Sequence, residues 1–430
     1  MNKKARKSSR SLSAPPRGSR VKSSEDVRKL DISDHRPKNP KFAARIGQEL
    51  NKAMRKNKTQ SKSQKRKKSS SREHHRKSRE THSKETSKEK IEPTPIKSCE
   101  KEKEKEKEPT EEPEIPTPNK IEGPVHNLLS TLGQNFGDFS KEQWDYLEAL
   151  EIADTDITAF LEHPDCNQDE EVELLDANRV KLEKREADYI HASYVHLKGI
   201  PRKFILSQLP LIQPKRLADF WTMMHQEKIH NIYLLCSPDE SSKCDGKKFS
   251  EIFPIYYGDH ETHEEVWIHN RKVQAGWEEV NDNYCLEVLP KGAGDAVRVN
   301  LQLLNYWAER DVAANRKKFL ASVTNFVNLG SEESEPIGIV SKKGAGRAGT
   351  YLAIVSAIYF MKNGINFSVK EICSSIRQQR PGAVDNYYQF VFVYSTVLHY
   401  AVQNVTDSDL KMRIQKVIQQ TELILYCRNT

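Results

Sequence analysis

Apolar residues are scarce at the start of the chain and then arrive in two regular rhythms. Through residues 1–122 the one ordered apolar pattern follows Asn39-Pro40, where Phe42, Ile46, Leu50 and Met54 recur four apart and would line one face of a basic helix, which Gly47 weakens. From residue 123 the pattern changes. Helical spacing runs over His126–Leu132 and Lys141–Phe160, the latter through Trp144, Leu147, Leu150, Ile152 and Phe160. Short strand-like runs follow at Tyr189–Val195, Phe204–Leu206, Ile229–Leu235, Val266–Ile268, Tyr284–Leu289, Val297–Leu304 and Ile337–Val340. Helical spacing returns at Leu217–Glu227, Lys317–Leu329, Thr350–Asn363, Val369–Gln378 and Tyr387–Gln403. The mix predicts an α/β (α+β) domain over residues 123–405, with helices flanking a mixed sheet, a tail before it and a helical extension at 406–430.

Charge sharpens that division. Residues 1–122 carry 36 Lys+Arg against 19 Asp+Glu and a single aromatic, Phe42, so a tail of +17 precedes a region of −9 in a chain of net charge +8. Such a tail cannot bury enough apolar surface to offset its ordering entropy and is expected to be disordered. The Lys-Glu run at 101–108 and the Pro-rich stretch after it read as an extended linker. Lys65-Arg66-Lys67-Lys68 offers a nuclear-import or nucleic-acid contact, although no aromatic residues accompany the charge to stack on bases. Tail residues 39–68 are thus a candidate partner or import contact, and a nucleic-acid role is disfavoured. No run approaches the ~18 apolar residues of a membrane helix, and no apolar stretch follows the charged N-terminus. Seven cysteines without paired or metal-type spacing read as reduced thiols, so an intracellular protein, cytoplasmic or nuclear, is expected. No metal or organic cofactor is implied.

Chemistry concentrates in Ile337–Met361. An apolar strand ends at Val340, a loop with glycines at 344, 346 and 349 carries Arg347, and an apolar helix begins near Gly346–Thr350. Strand, glycine loop and helix N-terminus can form an anion cradle closed by a guanidinium, and can equally be an ordinary turn. The loop VSKKGAGRAGT resembles the phosphate-binding HCxxGxGRSGT of the protein tyrosine phosphatase family. Further segments resemble the same family in order: Asp188–Ser193 its DYINAS, Ser207–Leu211 with Asp219-Phe220-Trp221 its TQGPL…DFW, Lys243-Cys244 with Phe253-Pro254 its KC…YWP, and Ile376–Val384 its VRxQRPGxV, continued by Gln389-Phe390. The resemblance covers roughly residues 125–405.

By that resemblance, Ser341 stands where the family has its nucleophilic cysteine, and Arg347 with Gly344, Ala345 and Gly346 would hold phosphate. Lys342 and Lys343 add charge beside the loop, and Lys243 matches a lysine near the family's acid loop. That acid loop appears as Trp307-Ala308-Glu309, placing Glu309 at the general acid; Asp385 stands at the water-positioning glutamine, and Gln389 matches the second glutamine. A serine hydroxyl, unlike a cradled thiol, does not ionise near neutral pH, and no base is in sequence reach. Val340 and Ala348 also replace residues that tune the thiolate. The family's ring-stacking tyrosine aligns with Asp169 and a neighbouring aspartate with Glu171, an acidic stretch that opposes phosphate. These departures predict a catalytically inactive domain that binds a tyrosine-phosphorylated protein or a kinase as a scaffold or shield. Two alternatives stand beside it: a weak or atypical phosphatase using Ser341 or water with Glu309, and an interaction protein working through its tail over a vestigial pocket.

Overall fold

The computed structural model describes residues 119–429, apart from 153–155, 237–239, 241–250, 276–281 and 330–334. The tail stripe, the basic cluster at 65–68, the linker and Lys243 lie outside the described residues. Within them runs a nine-stranded sheet in the order β1-β2-β3-β9-β4-β8-β7-β6-β5. In its interior β9 (Ile337–Ser341) runs parallel to β3 (Phe204–Gln208) on one side and to β4 (Asn231–Leu235) on the other, with β8 (Val297–Leu303) parallel to β4. A central parallel strand is covered on both faces, which is why β9 reads as an unbroken apolar run and every residue in it is buried. Antiparallel strands extend both edges: β1 (Arg179–Lys181) and β2 (Tyr189–Val195) beyond β3, and β7 (Asp282–Pro290), β6 (Val266–Ala275) and β5 (His260–His263) beyond β8.

Alternate residues of the central strands enter two separate cores. Phe204, Leu206, Tyr233, Leu235, Ile337 and Ile339 face one cluster, while Ile205, Ile232, Leu234 and Val340 face the other. The second is closed by α4 (Pro214–Gln226) through Leu217, Phe220, Trp221 and Met224. The first is closed by α1 (Glu122–Thr131), α2 (Phe136–Glu148), α5 (Arg316–Asn328), α6 (Gly346–Lys362), α7 (Val369–Arg377), α8 (Tyr387–Asn404) and α9 (Ser408–Tyr426). Helix α6 is apolar around most of its circumference because it lies inside the molecule, packed on β9, α5 and α8. Helix α9 buries Leu410, Ile414 and Leu425 in that same core and is clamped by Glu422, which accepts from Arg316 (2.8 Å) and Ser395 (2.8 Å) and lies 3.4 Å from His399.

The helix expected over Lys141–Phe160 is instead two. Helix α2 begins at Phe136 behind Asn135, whose side chain accepts from the Gly137 amide, and ends at Glu148; a short α3 (Thr158–Glu162) follows. The physical reason is that its apolar residues serve different cores. Trp144 and Leu147 pack with the large helical cluster, whereas Phe160 packs with Leu174 and Tyr189 in a third one. Strand β5, read as no element from sequence, is a polar edge strand (HETH) without alternation to reveal it. Among the described residues no helix is long and apolar enough to cross a membrane.

Candidate functional site

The carboxyl end of β9 opens into a loop that closes at the N-terminus of α6. Ser341 is the last strand residue, paired in register with Gln208 and Leu235 and 2% exposed. Its carbonyl accepts from the Leu209 and Gly344 amides at 2.9 and 3.0 Å. No described residue hydrogen-bonds the Ser341 Oγ. Gly344 has φ +68, and a Cβ there would sit 2.3 Å from the Gln208 amide nitrogen and 2.4 Å from the Ser207 carbonyl carbon. Both the left-handed conformation and the close approach demand glycine. Gly346 and Gly349 let the loop lie against Asp385 and Ala383, where added Cβ atoms would come within 2.7 and 2.6 Å.

The loop is shaped from below by Arg380, which is wholly buried. Its Nε donates to the Gly344 carbonyl at 3.0 Å, Nη2 to the Lys343 carbonyl at 3.2 Å, and Nη1 to the Ser193 hydroxyl at 3.0 Å. Nη2 also lies 2.8 Å from His191 Nδ1. Burial pulls the His191 pKa down to about 3, and the facing guanidinium adds to it, so the ring is neutral. Nδ1 must then be the acceptor, leaving Nε2–H to donate to the Val172 carbonyl at 2.9 Å. Burial likewise lowers Arg380 to about 10, still charged at neutral pH. With these carbonyls turned toward Arg380, the amides of Lys342, Lys343, Ala345, Gly346 and Arg347 have no acceptor in the described backbone. Free amides at a helix N-terminus are the donors an anion needs.

The side chains around the loop are arranged as ion pairs. Arg347, 3% exposed, grips both carboxylate oxygens of Glu240 through Nη1 and Nη2, the latter at 2.6 Å, and donates from Nη1 to the Trp307 carbonyl at 2.7 Å. The fork is bidentate and leaves the Nε–H outside it. Lys342 Nζ meets Glu309 Oε2 at 2.9 Å, and Lys343 Nζ meets Asp169 Oδ2 at 2.6 Å. Burial lowers the Lys343 pKa, but the hydrogen bond and charge of Asp169 outweigh it and hold the ammonium above its usual value. Arg310, left-handed at φ 60, reaches Asp385 at 3.3 Å. Val384 beside it has φ 56, a strained value for a β-branched residue, and its carbonyl is held by Arg377 at 3.0 Å.

Of the residues read from sequence, the structure brings together Ser341, Lys342, Lys343, Gly344, Ala345, Gly346, Arg347, Glu309, Asp385 and Gln389. Gln389 is buried and used structurally: its Oε1 accepts from Thr350 Oγ1 (3.1 Å) and the Asp385 amide (3.0 Å), and its Nε2 donates to the Asp311 carbonyl (3.3 Å). Sequence reasoning missed Glu240, Arg310 and the His191–Arg380 pair. An acidic residue three before Lys243 was the available signal for Glu240, but its partner lies 107 residues away. No described cysteine replaces a thiolate here. Burial pushes Cys166 up to about 11 and Cys236 higher still.

The chain is similar to a coherent set of proteins. Residues 163–399, more than half of it, match the family model described as protein-tyrosine phosphatase. A putative tyrosine-protein phosphatase from Caenorhabditis elegans is 34% identical over 268 residues, covering 61% of this chain and 59% of that protein. The tyrosine-protein phosphatase non-receptor type 2 of Rattus norvegicus is 27% identical over 282 residues, 64% of this chain and 65% of that one. The chain thus spans under two thirds of the length of these relatives. In fold, a Trypanosoma cruzi protein tyrosine phosphatase matches with a TM-score of 0.53 at 17% identity, covering 63% of this chain and 95% of its own.

Proposed function

The chain belongs to the protein-tyrosine phosphatase family, and from that premise we propose that it is a catalytically inactive member that acts by binding, engaging a tyrosine-phosphorylated protein or a kinase at the cradle. One observation carries the reading: the side chain at the floor of the cradle is the hydroxyl of Ser341, with no described group hydrogen-bonded to its Oγ to take its proton. Phosphoryl transfer to a hydroxyl needs a base to take its proton, and among the described residues none is hydrogen-bonded to it. The acid position supports it, since Glu309 is engaged by Lys342. Anion binding, by contrast, keeps its parts: the amides of the loop, the helix N-terminus and the buried Arg347.

A phosphate-release time course with a phosphotyrosine peptide tests the reading. No release above that of Ser341→Ala is expected; release that Ser341→Ala or Glu309→Gln abolishes refutes it in favour of an atypical phosphatase. A second reading draws on the ion pairs. With Lys342, Lys343 and Arg347 all engaged by carboxylates, the pocket would be vestigial and partners would meet the tail. Calorimetric titration with the same peptide separates the two, because only the first requires binding that Arg347→Met removes.

A further inference from the structure

We propose that the Lys343–Asp169 ion pair is a gate on the cradle: a phosphate monoester enters by taking the place of the Asp169 carboxylate on the Lys343 ammonium. The inference deepens the binding reading above and rests on it. Carboxylates from separate segments hold Lys342, Lys343 and Arg347, and the most enclosed of these pairs is the least able to yield. The Arg347–Glu240 fork is shut in, its side chains 3% and 12% exposed, whereas Lys343 and Asp169 stand at 21% and 20%. Lys342–Glu309 is more open still, at 28% and 29%, but its release would not free the Trp307–Asp311 segment. That segment stays tied by Arg347 on the Trp307 carbonyl, by Asn386 on the Arg310 carbonyl and by Arg428 on Asp311.

The walls on either side of the Lys343–Asp169 contact are fixed independently of it. On one side Arg380 holds the Lys343 and Gly344 carbonyls. On the other, the Gln168 amide donates to Gln208 Oε1 at 2.9 Å, Gln168 Nε2 donates to the Leu209 and Pro210 carbonyls at 3.2 and 3.3 Å, and Asp169 Oδ1 accepts from the Glu171 amide at 2.8 Å. Breaking the ion pair therefore leaves both walls standing, which makes it the exchangeable element. It is also an obstruction. Side-chain tips 2.6 Å apart leave no space for an aromatic ring, which needs roughly 3.5–4 Å to the atoms on each face. Lys343 must swing away as a phenyl phosphate arrives, and the ammonium it frees is the natural partner for the phosphoryl oxygens. The Asp169 carboxylate displaced from Lys343 then opposes the dianion, so the gate sets the affinity as well as the access.

The test titrates the full chain calorimetrically with N-acetyl-phosphotyrosine amide and with inorganic phosphate. Wild type is compared with Asp169→Asn, Lys343→Met, their combination, and Asp169→Asn carrying Arg347→Met; an unchanged thermal melt by circular dichroism confirms each fold. Asp169→Asn is expected to tighten binding of the aryl phosphate at least tenfold, with most of that gain lost on Lys343→Met and all binding lost on Arg347→Met. A gain that persists undiminished in Lys343→Met means that Asp169 acts by plain repulsion, and overturns the gate while the binding reading stands. Arg347-dependent binding that Asp169→Asn leaves unchanged or weakens has the same meaning. No Arg347-dependent binding by any variant overturns the binding reading and the gate together.

Discussion

Substituting Gly344 by alanine isolates how tightly the cradle loop is pressed onto β3. Two costs add. An L-residue at φ +68 pays about 1–2 kcal/mol for the left-handed conformation. A Cβ placed 2.3 Å from the Gln208 nitrogen and 2.4 Å from the Ser207 carbonyl carbon must also push backbone against backbone, an overpacking that typically costs about 1–3 kcal/mol. The total for Gly344→Ala is about 2–5 kcal/mol. Gly382 supplies the internal control: its φ is +73, but a Cβ there meets only Ala345 Cβ and Val172 Cγ2 at 3.8 Å, so Gly382→Ala should cost the conformational part alone, about 1–2 kcal/mol. Urea denaturation followed by far-ultraviolet circular dichroism reads both. With a denaturant dependence near 3 kcal/mol per molar, Gly344→Ala should move the midpoint down by about 1 M and Gly382→Ala by roughly half that or less. Equal shifts for the two variants would refute the claim that close contact with Ser207 and Gln208, rather than φ alone, fixes glycine at 344.

Glu422 gives a pH dependence. Burial raises its pKa, but the hydrogen bond of His399, the charge of Arg316 and the hydroxyl of Ser395 more than reverse this and leave it at about 2. A carboxylate depressed in the folded state stabilises above its unfolded pKa, near 4.5, and loses that stabilisation as pH falls toward 2. Because its side chain is 39% exposed the contribution is discounted to about 1 kcal/mol. The melting-temperature difference between wild type and Glu422→Gln should therefore be full at pH 6 and shrink below pH 4.5; a constant difference down to pH 2 contradicts it. Asn135→Ala, which removes the side chain accepting from the Gly137 amide at 3.0 Å, should cost about 1 kcal/mol in the same denaturation assay, and a loss under 0.3 kcal/mol would argue against a cap. In native alkylation mapped by mass spectrometry, exposed Cys427 should label before buried Cys166, Cys236 and Cys373; early labelling of Cys236 would contradict its burial beside the cradle.

Strands buried on both faces were legible from the chain as short unbroken apolar runs, as in Phe204, Ile205 and Leu206, whose alternate residues enter the two cores. The segment over Lys141–Phe160 was not, since periodicity records that Trp144 and Phe160 are buried but not that they are buried in different places. The cradle itself was legible as strand, glycines and Arg347, because those needs are local. Its ion pairs were not. Glu240 lies 107 residues from Arg347, and His191 lies 189 from Arg380, so both contacts exist only after β3, β9 and β4 have been laid side by side. Asp169 stands between these cases: its acidic character at the mouth was readable, its partner Lys343 was not.

The buried guanidinium beneath the loop separates shape from reactivity. Arg380 fixes the Lys343 and Gly344 carbonyls, and does so by leaning on Ser193 and a neutral His191, none of which is hydrogen-bonded to the Ser341 side chain. The cradle is thus cast in a mould that makes no demand on the atom at its floor. None of the hydrogen bonds of that mould ends on the Ser341 side chain, so the shape of the vessel and the identity of the atom at its floor are set by separate residues.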